Sequence, residues 1–315
     1  MMEKNSLIAP DQTAPKGWQS VVRIFLIFFG LYVVVWVIRV IMGVGPNWLM
    51  RSLGVSPDFR AYVGSTLNYG ASIVSYIWLT AIALRKALHV HPWDRMYPFH
   101  KSWWKDLLFG VLLVAIILIS FFLVEIRIGW LVVERWKWQT LPWDEFLRTA
   151  WVGLLVNIGV AIGEESIFRG YLLTALRTSL GKWTSIIVMM VVFGLFHLPA
   201  YSGSGGMHDW TLTLAILLAT SFGGLFGLIY LRTKSLWLPT ALHFAWNFIE
   251  NDVLNITAVS NNPNLIGVVT RLGGPLTATG PSFSNVIVLE ISMFAVICLG
   301  IWVWMHYYQK RRKET

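Results

Sequence analysis

The residues best suited to chemistry in this sequence are ionisable groups inside apolar stretches. Residues 163–169 read GEESIFR, so Glu164, Glu165 and Arg169 lie within one apolar segment. Each charge in a membrane helix costs about 2.5–3.5 kcal/mol on insertion scales, which makes such residues functional candidates. On a helix, Glu165 and Arg169 share a face and form an ion pair. Glu164 is rotated by about 100°, so its carboxylate is left to act as a general base.

Two further motifs supply imidazole and amide groups. Residues 193–199 read FGLFHLP and include His197, while residues 243–247 read HFAWN. His243 and Asn247 are four residues apart on one helix face, so both can hydrogen-bond toward a common point. Each motif alone is most simply a packing histidine or a structural ion pair. Together, in three apolar stretches with compatible spacing, they indicate an active site inside the membrane.

The elements that must position these groups are membrane-spanning helices. Apolar residues make up 56% of the 315 residues and charged residues only 13%, whereas soluble domains carry about 25% charged residues. Stretches of about 20 apolar residues are long enough to cross a bilayer. The sequence therefore predicts an all-α polytopic membrane protein with about eight transmembrane helices, at residues 21–42, 62–84, 107–125, 149–178, 184–198, 211–231, 236–253 and 285–307.

The distribution of basic residues predicts the orientation in the membrane. Eight spans put both termini on one side, and sixteen of the 25 Lys and Arg residues fall on that side. By the positive-inside rule both termini are cytoplasmic, most simply at a bacterial plasma membrane. Because the net charge of +9 is spread between apolar stretches, the expected partner is the lipid bilayer and not nucleic acid. Cys298 is the only cysteine, which excludes an intrachain disulfide and CxxC redox chemistry.

The turn between the fourth and fifth spans predicts which polar groups meet. Glu164 lies 17 residues before Gly181 and His197 lies 16 residues after it. In an antiparallel hairpin these positions fall at nearly the same height. His243, however, follows Ser235 by only eight residues, or about 12 Å of helix. For all three groups to meet, either the hairpin projects into the cytoplasm or the loop before the seventh span dips inward.

These motifs resemble those of the CAAX-protease and bacteriocin-processing family of intramembrane endopeptidases, which is related to the type II CAAX prenyl endopeptidases. The family pattern is Glu-Glu-x-x-x-Arg, Phe-x-x-x-His and His-x-x-x-Asn, each in its own helix, and residues 164–169, 193–197 and 243–247 match it in order. The resemblance covers about residues 145–250. The expected organisation is N-terminal membrane helices over 1–145, a catalytic membrane core over 146–255, and a loop, last helix and basic tail over 256–315.

The resemblance implies a hydrolytic mechanism and a role for each site residue. Glu164 would activate a water with the help of His197, and His243 and Asn247 would hold the oxyanion. The implied substrate is a peptide or protein in the membrane, prenylated or not. Supporting roles fall to Glu165 and Arg169, which brace the helix, and to Phe193, which packs beside His197.

Metal dependence is left open by the sequence. Family usage often describes these enzymes as metalloproteases, and two histidines with one glutamate form a reasonable catalytic zinc set. The chain lacks the HExxH spacing of many zinc proteases. A Zn²⁺ cofactor would have these three ligands: Glu164, His197 and His243.

Two other function classes remain as alternatives. A non-catalytic membrane regulator or bacteriocin-immunity protein would use the same fold to bind partners. A transporter or proton relay would also use buried carboxylates and histidines. Against the transporter, the sequence has no internal repeat with paired broken helices. Neither the substrate nor the oligomeric state is indicated by the sequence.

Overall fold

The computed structural model describes residues 18–99, 101, 103–129, 131–199, 210–254, 267–271 and 283–314. Strand β1 (Leu131–Trp136) pairs antiparallel with strand β2 (Gly267–Arg271). Two π-helical segments extend helices at Glu165–Leu173 and Phe248–Val253. The α-helices, in chain order, are α1 Trp18–Ser52, α2 Pro57–Ala87, α3 Trp103–Arg127, α4 Lys137–Thr140, α5 Trp143–Glu164, α6 Thr174–Leu180, α7 Lys182–Phe196, α8 Trp210–Thr233, α9 Trp237–Asn247 and α10 Phe283–Glu314.

Within these ranges, five helices are long and apolar enough to cross a membrane. They are α1, α2, α3, the continuous helix Trp143–Leu180, and Leu212–Thr233 within α8. Shorter apolar helices lie at Lys182–Phe196 and Ile291–His306. Large apolar side chains such as Leu26 and Ile116 are exposed on the outside of the helices, as expected for lipid-facing positions. The prediction of an all-α polytopic membrane protein is confirmed, while the count of eight spans stays a prediction.

Contacts between connecting segments agree with the predicted alternation of sides. At one end of the bundle, Ser20 and Ser179 hydrogen-bond through their hydroxyls at 3.0 Å, and the Leu236 amide donates to the Met96 carbonyl at 2.7 Å. Pairing of β1 with β2 joins the connections after α3 and before α10. The sequence does not predict this pairing, because the stretch between the seventh and the last predicted spans is expected to form only a loop. Much of that loop lies outside the described residues.

Two apolar clusters form the interior of the bundle. The first surrounds the π-helical segment, where Phe168 and Tyr171 are fully buried against Phe28 of α1 and Met189 of α7. The second surrounds α9, which packs against α3, α5 and α8, and it also includes buried side chains of α10. Because His243 is carried by α9 and Glu164 by α5, the predicted site lies where the two clusters meet.

The predicted helical hairpin has its turn at Gly181, between α6 and α7. The φ angle of Gly181 is 75°, a left-handed conformation that glycine adopts at little cost and other residues adopt with strain. The Ser185 hydroxyl donates a 2.6 Å hydrogen bond to the Gly181 carbonyl and secures the start of α7. The chain therefore reverses where the sequence predicted, and α7 runs back beside the helix that carries Glu164.

Gly194 sets how closely α7 approaches α8. A Cβ atom at this position would overlap the Thr220 hydroxyl and lie 3.0 Å from the carbonyl oxygen of Ile216. We expect Gly194→Ala to destabilise the protein by about 1–3 kcal/mol, because the backbone oxygen cannot move aside and α7 must shift. The thermal unfolding midpoint of the purified protein measures this. Gly70→Ala is the control, since its Cβ has nothing within 4 Å, and equal midpoints for the two variants would contradict the prediction.

Candidate active site

The first part of the site is the junction between α5 and the π-helical segment. Glu164 is the last residue of α5, and Glu165 begins the π-helical segment, all of whose nine residues are buried. The sequence predicted a regular helix here. A π-helical turn widens the backbone hydrogen bonding from i+4 to i+5 and is frequent at functional sites. Both glutamates are therefore carried by a locally irregular stretch of helix, which hydrophobic periodicity does not reveal.

Glu165 is held by two cationic or donor groups from different helices. Arg169 Nη1 donates to Glu165 Oε1 at 2.9 Å, and both side chains are fully buried. His243 Nδ1 lies 2.9 Å from the same oxygen. Because an ionised carboxylate only accepts hydrogen bonds, the His243 proton on this side is assigned to Nδ1. The Glu165–Arg169 pair expected from the spacing is present, while its link to His243 was not predicted.

Glu164 faces both histidines and not the arginine. Its Oε2 lies 3.8 Å from His197 Nε2 and 3.8 Å from His243 Nε2. The three helices therefore bring these groups together as expected. The side chains of Glu164 and His197 are 25% and 22% exposed, whereas that of His243 is 8% exposed. Among the described residues, Glu164 Oε2 is buried without a hydrogen-bond partner.

The orientation of His197 follows from the backbone of α7. Its Nδ1 lies 2.8 Å from the Phe193 carbonyl oxygen. A carbonyl only accepts, so Nδ1 carries the proton and the Nε2 of the neutral ring is an acceptor. The Phe193 ring lies 4.7 Å from the His197 ring and 4.3 Å from Arg169 Cζ. Phe193 thus packs between the histidine and the cation, where it adds a cation–π contact.

A buried loop explains how the short α9 reaches the site. Ser235 and Leu236, between α8 and α9, are fully buried. The α2–α3 loop covers them, and its Met96 carbonyl accepts the Leu236 amide. The loop before α9 is therefore enclosed by protein, while the choice between an inward loop and a projecting hairpin stays a prediction. Eight residues of chain are then enough to bring His243 to Glu164.

Tyr97, in the α2–α3 loop, was missed by sequence reasoning. Its hydroxyl lies 3.4 Å from the Ser166 hydroxyl and 3.2 Å from the Thr240 hydroxyl. Burial raises the pKa of Tyr97 to about 12, so the hydroxyl stays protonated at neutral pH. Ser166 follows Glu164 by two residues, and Thr240 precedes His243 by three. Tyr97 therefore ties the two helices of the site together, and no feature of the loop sequence indicates this.

The placement of Asn247 does not establish its predicted role. Asn247 is half-buried, one turn beyond His243 on α9, and its backbone carbonyl accepts a hydrogen bond from Asn251 Nδ2 at 3.0 Å. Its side chain makes no hydrogen bond to Glu164 or His197 in the described part of the chain. Its share in binding an oxyanion stays a prediction.

The proposed zinc ligands do not form a metal centre. Within the ranges that the structure describes, no three His, Cys, Asp or Glu side chains are placed to hold a metal ion. Zinc needs its ligand atoms at about 2.0–2.2 Å in a tetrahedral arrangement. The geometry therefore does not support the zinc set Glu164, His197 and His243.

Comparison with known proteins identifies the part of the chain that builds this site. No curated protein and no solved structure matches the chain. Residues 146–249 match a family model described as "Type II CAAX prenyl endopeptidase Rce1-like". The match contains every predicted site residue, from Glu164 to Asn247. Residues 146–249 are therefore a domain of the type II CAAX prenyl endopeptidase Rce1-like family, which confirms the resemblance carried by the three motifs.

Proposed function

We propose that the protein is an intramembrane endopeptidase that hydrolyses a peptide bond of a membrane-associated, prenylated peptide or protein. The observation that carries the proposal is the position of Glu164. Its carboxylate lies 3.8 Å from two imidazole nitrogens supplied by two other helices. The charge of Arg169 is meanwhile taken up by Glu165. Glu164 is thus outside the structural ion pair and is left for proton transfer.

The first step is the orientation of a water by Glu164 and His197. Glu164 Oε2 and the Nε2 of neutral His197 are both acceptors, and they lie 3.8 Å apart. A water that donates one hydrogen to each, at ordinary lengths of about 2.8 Å, fits this separation. Such a water has its lone pairs directed away from both groups. It is therefore oriented for attack on a carbonyl carbon.

The second step is attack on the peptide bond with Glu164 as general base. Glu164 takes one proton as the water oxygen bonds to the carbonyl carbon, and the carbonyl oxygen becomes an oxyanion. His243 can donate to this oxyanion through Nε2 only as an imidazolium, because its Nδ1 proton is directed at Glu165. The two neighbouring carboxylates balance that charge. Glu164 then passes its proton to the leaving nitrogen as the C–N bond breaks.

The predicted orientation indicates how a substrate reaches the site. If both termini are cytoplasmic, the turn before α9 is also on the cytoplasmic side, and His243 lies about 12 Å along the helix from it. A peptide anchored in the cytoplasmic leaflet by a lipid chain can enter to this depth. The family name supplies the class of anchor, a prenyl group. The substrate is therefore proposed to be a prenylated C-terminal peptide.

A cleavage assay on the purified full chain tests the proposed function. The substrate is a farnesylated CAAX-type peptide in lipid nanodiscs, with the unprenylated peptide beside it, and mass spectrometry identifies the products. We expect a single cut in the farnesylated peptide. We also expect the rate to be unchanged by a zinc chelator, because the mechanism uses a carboxylate and imidazoles. No cleavage of either peptide would contradict the proposal, and complete inhibition by the chelator, reversed by zinc, would contradict the metal-free mechanism.

A further inference from the structure

Tyr32 of α1 lies against the site from outside the family-matched residues. Its ring packs on three phenylalanine rings, with centroids 4.6 Å from Phe196, 5.3 Å from Phe28 and 6.1 Å from Phe168. Phe196 immediately precedes His197. These contacts need only an aromatic ring, so a phenylalanine would pack here equally well. The packing explains the ring of Tyr32 and leaves its hydroxyl unexplained.

The hydroxyl of Tyr32 is a buried polar group on a ring that packs beside Phe196 and Tyr76 at the edge of the site. It is shielded from solvent and has no hydrogen-bond partner among the described residues. A buried hydroxyl without a partner is costly, so each such group calls for an explanation. The ionisable groups that act electrostatically on it are Glu164, Tyr76, Arg169 and Glu165. The hydroxyl therefore lies within the field of the site and is not simply isolated in the apolar interior.

Tyr76 of α2 lines the same side of the site but is already engaged. A Cβ at Gly163, the residue before Glu164, would lie 2.5 Å from the Tyr76 ring. This contact places the ring directly against the catalytic helix. The Tyr76 hydroxyl, however, interacts with Arg39. Of these two tyrosines, Tyr32 is the one whose O–H has no hydrogen-bond partner in the described part of the chain.

We propose that Tyr32 is a further catalytic residue, whose hydroxyl donates a hydrogen bond to the substrate carbonyl oxygen that becomes the oxyanion. This inference rests on the proposed function. The proton stays on the phenol throughout, and the hydrogen bond strengthens as negative charge develops on the oxygen. Helix α1 would then add to the four proposed catalytic residues, all of which lie within residues 146–249.

Tyr32→Phe tests this role by removing only the oxygen atom. We expect kcat for the farnesylated peptide to fall at least about tenfold, with KM changed by less than about threefold, because the lost bond acts mainly in the transition state. The thermal unfolding midpoint should stay level or rise, since the ring contacts remain and an unpaired buried hydroxyl is removed. If Tyr32 had only a structural role, Tyr32→Phe would lower stability and activity together.

Tyr171→Phe is the matched control. Tyr171, in the π-helical segment, also has a buried hydroxyl without a hydrogen-bond partner in the described residues, and the charge acting on it is Arg23. We expect wild-type kcat for this variant. Wild-type kcat in Tyr32→Phe, or a fall accompanied by an equal loss of stability, would overturn the inference. The proposed function would still stand in that case if Glu164→Gln strongly lowered the rate of cleavage. A wild-type protein that cuts no peptide would overturn the inference together with the proposed function.

Discussion

Glu164→Gln is expected to lower the rate of peptide cleavage by about a thousandfold, within the 10²–10⁴-fold range of general base catalysis. Glutamine has the same shape and can hydrogen-bond a water, but it cannot take the proton that hydrolysis releases. Glu164 is 25% exposed and is not part of the ion pair with Arg169, so the substitution should leave the fold intact. Initial rates on the farnesylated peptide, with unfolding midpoints measured in parallel, separate these effects.

Glu145→Gln is the control for the loss of one carboxylate from the same helix. Glu145 is exposed in the first turn of α5, far along the helix from Glu164, and its variant should cleave at the wild-type rate. If Glu164→Gln cleaved as fast as Glu145→Gln, Glu164 would not be the base. The non-catalytic regulator would then become the better explanation of the three motifs, and the test would move from cleavage to partner binding.

The parts of the site that could be predicted depend on short-range helical geometry. Glu165 and Arg169 pair because residues four apart share a helix face, whether the turn is α or π. Glu164 and His197 meet because they are nearly equidistant from the turn at Gly181. Both inferences use only spacing along one hairpin. Neither needs knowledge of how distant segments pack.

The parts that could not be predicted depend on contacts between distant segments. The position of His243 depends on the loop before α9, which the α2–α3 loop covers through Met96. The sequence does not indicate that these two loops pack together. The pairing of β1 with β2 joins segments more than 130 residues apart. Glu165 was assigned only to Arg169, whereas it also orients His243. That second contact fixes the tautomer of His243, which residue types and spacing alone cannot do.

Tyrosine hydroxyls in apolar spans are a further sequence feature that indicates candidate site residues. A phenol in an apolar span is a polar group that needs a partner, for the same reason that a glutamate does. Tyr32 lies in the first predicted span. A search for charged residues alone passes over it, because the cost of one hydroxyl is smaller than that of one charge. A search that includes hydroxyls would add α1 to the helices that carry candidate site residues.

Arg169→Met is expected to destabilise the protein by about 3–5 kcal/mol, a larger loss than that expected for Gly194→Ala. Arg169 and Glu165 are both fully buried, and removal of one partner of a buried ion pair leaves an uncompensated charge. The variant also loses the hydrogen bond from Nη2 to the Gly223 carbonyl of α8. The measurement is the thermal unfolding midpoint together with the yield of monodisperse protein after purification.

The double variant Glu165→Gln/Arg169→Met separates charge compensation from shape. An amide oxygen at position 165 can still accept the His243 Nδ1 proton, and no buried charge is left unpaired, so we expect at least half of the lost stability to return. Part of the cleavage activity should return with it, because His243 keeps its orientation toward Glu164. A double variant no more stable than Arg169→Met would show that the guanidinium acts through its packing on Phe193 and α8. Recovery would instead show that Arg169 neutralises Glu165 so that Glu164, one residue earlier, can remain the reactive carboxylate.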